Sequence, residues 1–163
     1  MSVDNDVRRV FNRIIKQVGD TVTNKKMKAL GEFALELIVK RTRLGYGVRK
    51  NNAKRRRLRQ LSPGYVKFRR DNRRDLDKTT TPKKSNLTLT GQMLRSMKVT
   101  RVRKASVLIA PTKRRGGKYG RGLTNAKVAE YQAKQGRPFN FLTDLEAKKV
   151  RRYYERTLRK SLK

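Results

Sequence analysis

The sequence contains no cysteine and no histidine. Without cysteine there is no disulfide, no thiolate metal site and no cysteine nucleophile, and a reducing compartment suits such a chain. Without histidine as well, the common zinc sites and the usual serine–histidine pairs have no ligand or base to draw on. Acid is scarce, 12 Asp and Glu in 163 residues. Hydrophobic residues make up 35%, below the usual globular share, so the expected core is small for the length. No run approaches the roughly 18 apolar residues of a membrane span, and no membrane partner is expected. The opening stretch MSVDNDVRR lacks the apolar centre of a secretory signal, and Asp4 and Asp6 do not suit a mitochondrial presequence.

What is there is positive charge: 46 Lys and Arg, for a net charge of +34. A chain this basic repels itself and needs a polyanion or an acidic protein surface beside it. Residues 40–74 hold 15 basic residues and one acid, Asp71. The densest cluster is Lys54, Arg55, Arg56, Arg57 and Arg59, followed by Lys67, Arg69, Arg70, Arg73 and Arg74. Like charges at this spacing cost free energy unless neutralised, so the cluster reads as a surface for nucleic acid or an acidic partner. If about eight of them met duplex phosphates, log K would fall with a slope near −7 in log salt. Nothing in the pattern points to sequence readout. Tyr46, Tyr65, Phe68 and Tyr119 interleave with the charges and serve either as stacking platforms for bases or as small anchors into the core.

A second basic stretch, TKRRGGKYGRG at 112–122, is too rich in glycine and charge to pack and reads as an exposed arm, adding Arg114, Arg115, Lys118 and Arg121 to the candidate contact residues. It lacks the G-x-x-x-x-G-K-[ST] spacing of a phosphate loop. Asp71, Asp75 and Asp77 are the one acidic cluster. Carboxylates at this spacing can hold Mg²⁺, but each sits among arginines, and local ion pairing accounts for them more simply. No catalytic residue, metal site or cofactor is therefore expected.

Apolar periodicity predicts a helix over 5–18 and a second from Thr23-Asn24 to Leu44, ended by Gly45. The inner face of the second runs through Met27, Leu30, Phe33, Ala34, Leu37, Ile38 and Arg41. Residues 45–61 read as a loop, Ser62-Pro63 as the start of a short helix, and 77–85 as a flexible connector. Leu87 and Leu89 read as extended, Thr90-Gly91 as the opening of a helical turn capped by the Thr90 hydroxyl, and the chain to Pro111 as a β-hairpin. A helix is expected over 124–135, with Val128, Ala129 and Tyr131 inward. Thr143 and Glu146 form a capping box for the last helix, whose apolar stripe is Leu145, Val150, Tyr153, Tyr154, Leu158 and Leu162. The expected fold class is α+β: a small antiparallel sheet built on the central hairpin, flanked by N-terminal and C-terminal helices, with long basic loops. The expected organisation is one domain over 1–163, with a helical part (1–44), a basic region (45–85) and a hairpin, arm and terminal helices (86–163).

The order of motifs carries further information. The basic segment with LSPGYVKF precedes Leu89-Thr90-Gly91-Gln92-Met93-Leu94-Arg95-Ser96. Then come a strand pair, Val128-Ala129-Glu130-Tyr131-Gln132 with Gln135-Gly136, Arg137-Pro138-Phe139, and a final helix. Over about residues 58–160 this order resembles tailed-bacteriophage virion-morphogenesis and tail-completion proteins, the group of neck, head–tail joining and Mu-like G proteins. The resemblance implies a non-enzymatic ring subunit of the neck or tail terminus, assembled in the host cytoplasm and resident in the virion. Its implied partners are copies of itself, portal or connector and tail proteins, and genomic DNA without sequence preference. On composition alone, a ribosomal or other basic RNA-binding structural protein explains the charge equally well.

Overall fold

A computed structural model of the chain describes residues 23–49, 53–78, 80–103, 106–112 and 122–161. The helix expected over 5–18 and the arm residues Arg114, Arg115, Lys118 and Arg121 lie outside the described residues. The architecture is α+β, with two antiparallel sheets of two strands each among the described residues, set among helices.

Helix α1 (Asn24–Arg43) is the common wall of the structure. Thr23 caps it, its Oγ1 accepting from Lys26 N at 3.3 Å, and Gly45 turns the chain away with φ of +86°. The inner face follows the predicted periodicity: Met27, Leu30, Ala34, Ile38 and Arg41 are buried. After α1 comes a short ribbon, β1 (Tyr46–Val48) paired antiparallel with β2 (Arg55–Arg57), where sequence reading expects a loop. The arginine run shows no apolar alternation, so the pairing is carried by the backbone and by two anchors, Val48 and Leu58, both buried. Val48 N donates to Pro138 O, and Leu58 N donates to Gly45 O.

Helix α2 (Pro63–Asp71) starts at the expected Ser62-Pro63, with Ser62 Oγ accepting from Tyr65 N. A 3-10 turn, Arg73–Asp75, follows. The segment read as a flexible connector is tied down. Asp77 N donates to Leu89 O, the buried Thr80 hydroxyl bonds the Thr88 carbonyl, and the Thr88 hydroxyl donates to Asn86 Oδ1 at 2.6 Å. This small buried network holds Leu87 at φ of +55°, a conformation a bulky side chain rarely adopts. The expected extended Leu87–Leu89 run is therefore a turn. Likewise, the one-turn helix α3 (Gln92–Arg95) has Gly91, at φ of +64°, as its N-cap, with no capping side chain. The Thr90 carbonyl instead accepts from Arg95 Nη2 at 2.7 Å.

The hairpin is present as read: β3 (Met97–Arg103) pairs antiparallel with β4 (Ser106–Pro111). A bulge between Val99 and Arg101 adds a residue to β3. That extra residue puts Val99 and Val102, three apart, on the same inner side. Helix α4 (Asn125–Lys134) is capped by Thr124, and α5 (Asp144–Ser161) by the Thr143/Glu146 box, with Glu146 N to Thr143 Oγ1 at 3.2 Å and Thr143 N to Glu146 Oε2 at 2.9 Å. Ala129 is buried on α4, but Tyr131 faces solvent. On α5 the predicted stripe splits, with Val150, Tyr154 and Leu158 buried and Leu145 exposed.

Two apolar clusters result. One joins α1, the hairpin and α5 through Met27, Leu30, Ala34, Val107, Val150 and Tyr154. The other joins α1, α3, α4 and the 137–141 segment through Ile38, Met93, Leu94, Met97, Ala129 and Phe139. Ile109 and Leu142 touch both. The element on which both cores are built is thus α1, with the hairpin laid against it.

Candidate basic interface

The predicted contact residues fall into three settings. Lys54, Arg55, Arg56 and Arg57 lie on and just before β2, and all four are exposed. Alternation along the strand sends Arg56 to the face opposite Arg55 and Arg57. The Arg55 guanidinium lies over the Tyr46 ring, 4.4 Å from its centroid, a cation–π contact that holds one end of the ribbon's charge in place. Arg70, Arg73 and Arg74, at the end of α2 and in the turn after it, are also exposed.

Arg69 is different. It belongs to the same basic run, but it is only 2% exposed. Its Nη1 donates to the carbonyls of Lys84, at 2.8 Å, and Thr81, at 3.2 Å, so it fastens α2 to the segment that follows. Its guanidinium also lies 5.1 Å from the centroid of Tyr65, whose ring stacks with Phe68. Tyr46 and Tyr65 are thus already engaged by arginines of their own chain, and Tyr119 lies outside the described residues.

Arg59, exposed where the chain leaves the ribbon, stands at a groove of about 570 Å³. The groove lies between the start of α2, the 85–87 turn and the C-terminal end of α4. Arg59, Arg69 and Arg137 all line it, and among the described residues none that lines it is acidic. Arg137 Nη1 donates to Gln132 Oε1 at 3.1 Å. Burial lowers the Arg137 guanidinium pKa, the Tyr65 and Tyr131 phenols oppose that shift, and the charges of Arg59 and Arg69 add to it. Like charges are therefore gathered here, and among the described residues no carboxylate in the groove balances them. In the sequence Arg137 stands out only within the Arg137-Pro138-Phe139 motif, and this role is not legible there. The legible signal was an arginine directly after a helix-ending glycine, and its neighbours are set by tertiary structure alone.

Asp77 pairs with Arg95, 18 positions along the chain. Among the described residues no group of three acidic side chains is placed to hold a metal ion. Among them, too, no helix is long and apolar enough to cross a membrane.

No protein-family model, curated protein or solved structure matches the chain.

Proposed function

We propose that this chain is a structural virion protein of a tailed phage, a ring subunit of the head–tail neck or tail terminus that acts by binding and not by catalysis. The observation that carries the reading is where the ordered motifs meet. Met93 and Leu94 of the threonine-glycine motif, Val128 and Ala129 of the next, and Phe139 of the third share one buried cluster against α1. Motifs spread over some fifty residues of sequence thus form one packing unit, as expected if they were kept together to build a common fold. The β3–β4 sheet offers a further support. With two strands among the described residues, it offers outer edges that a neighbouring subunit's strand can extend, an economical way to close a ring. The basic ribbon then faces an acidic connector surface, a neighbouring subunit or packaged DNA.

The exposed arginines of β2 favour a second reading, a ribosomal or other RNA-binding structural protein. One gradient separates the two. A native lysate is sedimented at low and high salt, and the chain is followed across the fractions. The virion reading expects co-migration with DNA-filled particles that survives high salt. Co-migration with ribosomal subunits overturns it in favour of the second reading.

A further inference from the structure

We propose that the groove lined by Arg59, Arg69, Ser85 and Arg137 is a recognition site for a carboxylate carried on an acidic, apolar-flanked peptide of a partner protein. The first observation is unanswered charge. Arg69 is 2% exposed and Ser85 8%, yet Arg69 Nε, Arg137 Nε and Ser85 Oγ have no hydrogen-bond partner. Among the described residues Arg69 bonds only neutral carbonyls, and its charge is met by no carboxylate. Buried donors are nearly always satisfied, and a buried cation without a counter-charge is costly to hold. An oxyanion in the groove that Arg69 and Arg137 line supplies the missing counter-charge. A guanidinium presents its donors as a planar fork that matches a carboxylate in two parallel bonds.

The second observation is the floor. Leu61, Leu87 and Met93 line the same groove, and Leu87 is held there in its strained backbone conformation by the Thr80–Thr88–Asn86 network. A nucleic-acid backbone has no group for an aliphatic floor, and a duplex cannot lower a phosphate onto a side chain as enclosed as Arg69. A carboxylate on a flexible stem, next to an aliphatic neighbour, reaches both. The volume, about 570 Å³, suits a few side chains and not a large ligand. The occupant comes from another molecule in this scheme, because among the described residues no acidic side chain lines the groove. The inference stands apart from the virion reading and holds for any assembly in which the chain takes part.

The test uses the purified full chain and fluorescein-labelled hexapeptides in which Asp or Glu alternates with Leu, Ile or Phe. Controls are hexa-aspartate and a 20-bp DNA duplex. Anisotropy at 150 mM NaCl is expected to show saturable binding of alternating peptides, at least tenfold tighter than hexa-aspartate, that the duplex does not displace. Arg137→Gln and Arg59→Gln are each expected to weaken it about tenfold, with circular dichroism unchanged. Arg59 is exposed, so its variant decides the matter if Arg137→Gln fails to fold. Absence of saturable binding across the peptide set overturns the proposal. So does equal affinity for hexa-aspartate, which would mean a charge sink without use of the floor. Displacement by the duplex, with both variants losing DNA affinity equally, would make the groove a phosphate site.

Discussion

At Gly31 two tendencies of the chain oppose one another. The residue lies mid-helix in α1, where alanine is favoured over glycine by about 1 kcal/mol. A Cβ there would stand 2.5 Å from Val107 Cγ1 and 3.0 Å from Val99 Cγ2, so the hairpin rests directly on the helix backbone. Steric cost exceeds the propensity gain. Gly31→Ala is expected to destabilise by about 1–2 kcal/mol, on the usual scale of overpacking, and Val107→Ala in the same chain should recover part of that loss. Urea denaturation of the single and double variants checks both, and a more stable Gly31→Ala chain would show that α1 and the hairpin are further apart than described. Tyr154 presents the reverse case. Its side chain is 1% exposed and its hydroxyl has no partner. Removing the hydroxyl removes a desolvation cost, so Tyr154→Phe should be neutral or stabilise by about 1 kcal/mol. Burial raises the Tyr154 phenol above the ordinary value of 10.0. The unfolded chain therefore ionises first as pH rises. The contribution of the neutral phenol is complete below about pH 10 and is lost as pH climbs through the folded value. Stability of the parent chain should fall more steeply than that of Tyr154→Phe above pH 10, as read by denaturation at stepped pH. A variant less stable than its parent would mean the hydroxyl is bonded after all.

Between elements, the connection of most consequence is α1 to α5. Arg41, 5% exposed, pairs with Glu146, 8% exposed, and donates through Nη2 to the carbonyls of Phe139 and of Phe141, the latter at 2.9 Å. Burial lowers the Arg41 pKa and Glu146 pushes it back up. Glu146 also closes the capping box at the start of α5, so one carboxylate serves a helix end and an interhelical pair. Breaking a buried pair by removing one partner costs about 3–5 kcal/mol, and Glu146→Gln is expected at the low end because an amide oxygen still accepts from Thr143. A double-mutant cycle with Arg41→Met separates the two roles: a coupling of about 1 kcal/mol or more belongs to the pair, and additivity would leave only the cap. Half of this was legible in sequence. Thr23, Ser62, Thr124 and Thr143 announce four helix starts because capping is local, settled within three residues. Arg41 and Glu146 are 105 positions apart, and nothing local links them. The β1–β2 ribbon was hidden for a related reason: its strands are held by backbone pairing and by Val48, Leu58 and Pro138, while the arginines carry no period to read.

For the molecule as a whole, charge dominates, and here sequence was informative about amount and poor about direction. The run at 54–74 reads as one cluster, yet the fold sends Arg55, Arg56 and Arg57 outward and Arg69 inward, because only tertiary structure brings the carbonyls of Thr81 and Lys84 to it. The outward charges have a measurable consequence. A net charge of +34 on 163 residues loads the folded state with self-repulsion that salt relieves. Successive residues of β2 are about 3.3 Å apart, well inside the Debye length of about 10 Å at 0.1 M salt, so relief should continue into high salt. Raising NaCl from 20 to 500 mM is expected to increase Tm by about 4–8 °C, the equivalent of about 2 kcal/mol for a domain of this size. The variant Arg56→Ser with Arg57→Ser should melt higher than the parent at 20 mM and respond less to salt. Its stabilisation at low salt arises because both side chains are exposed and hold no packing role to lose. Scanning fluorimetry across a salt series reads all of this. A Tm that falls with salt would mean that pairs such as Lys28–Glu32, Lys134–Glu130 and Arg151–Glu155 outweigh repulsion. That outcome is not expected, since all three are exposed i,i+4 pairs worth about 0.3–0.5 kcal/mol each, too little to offset 46 basic residues facing 12 acids.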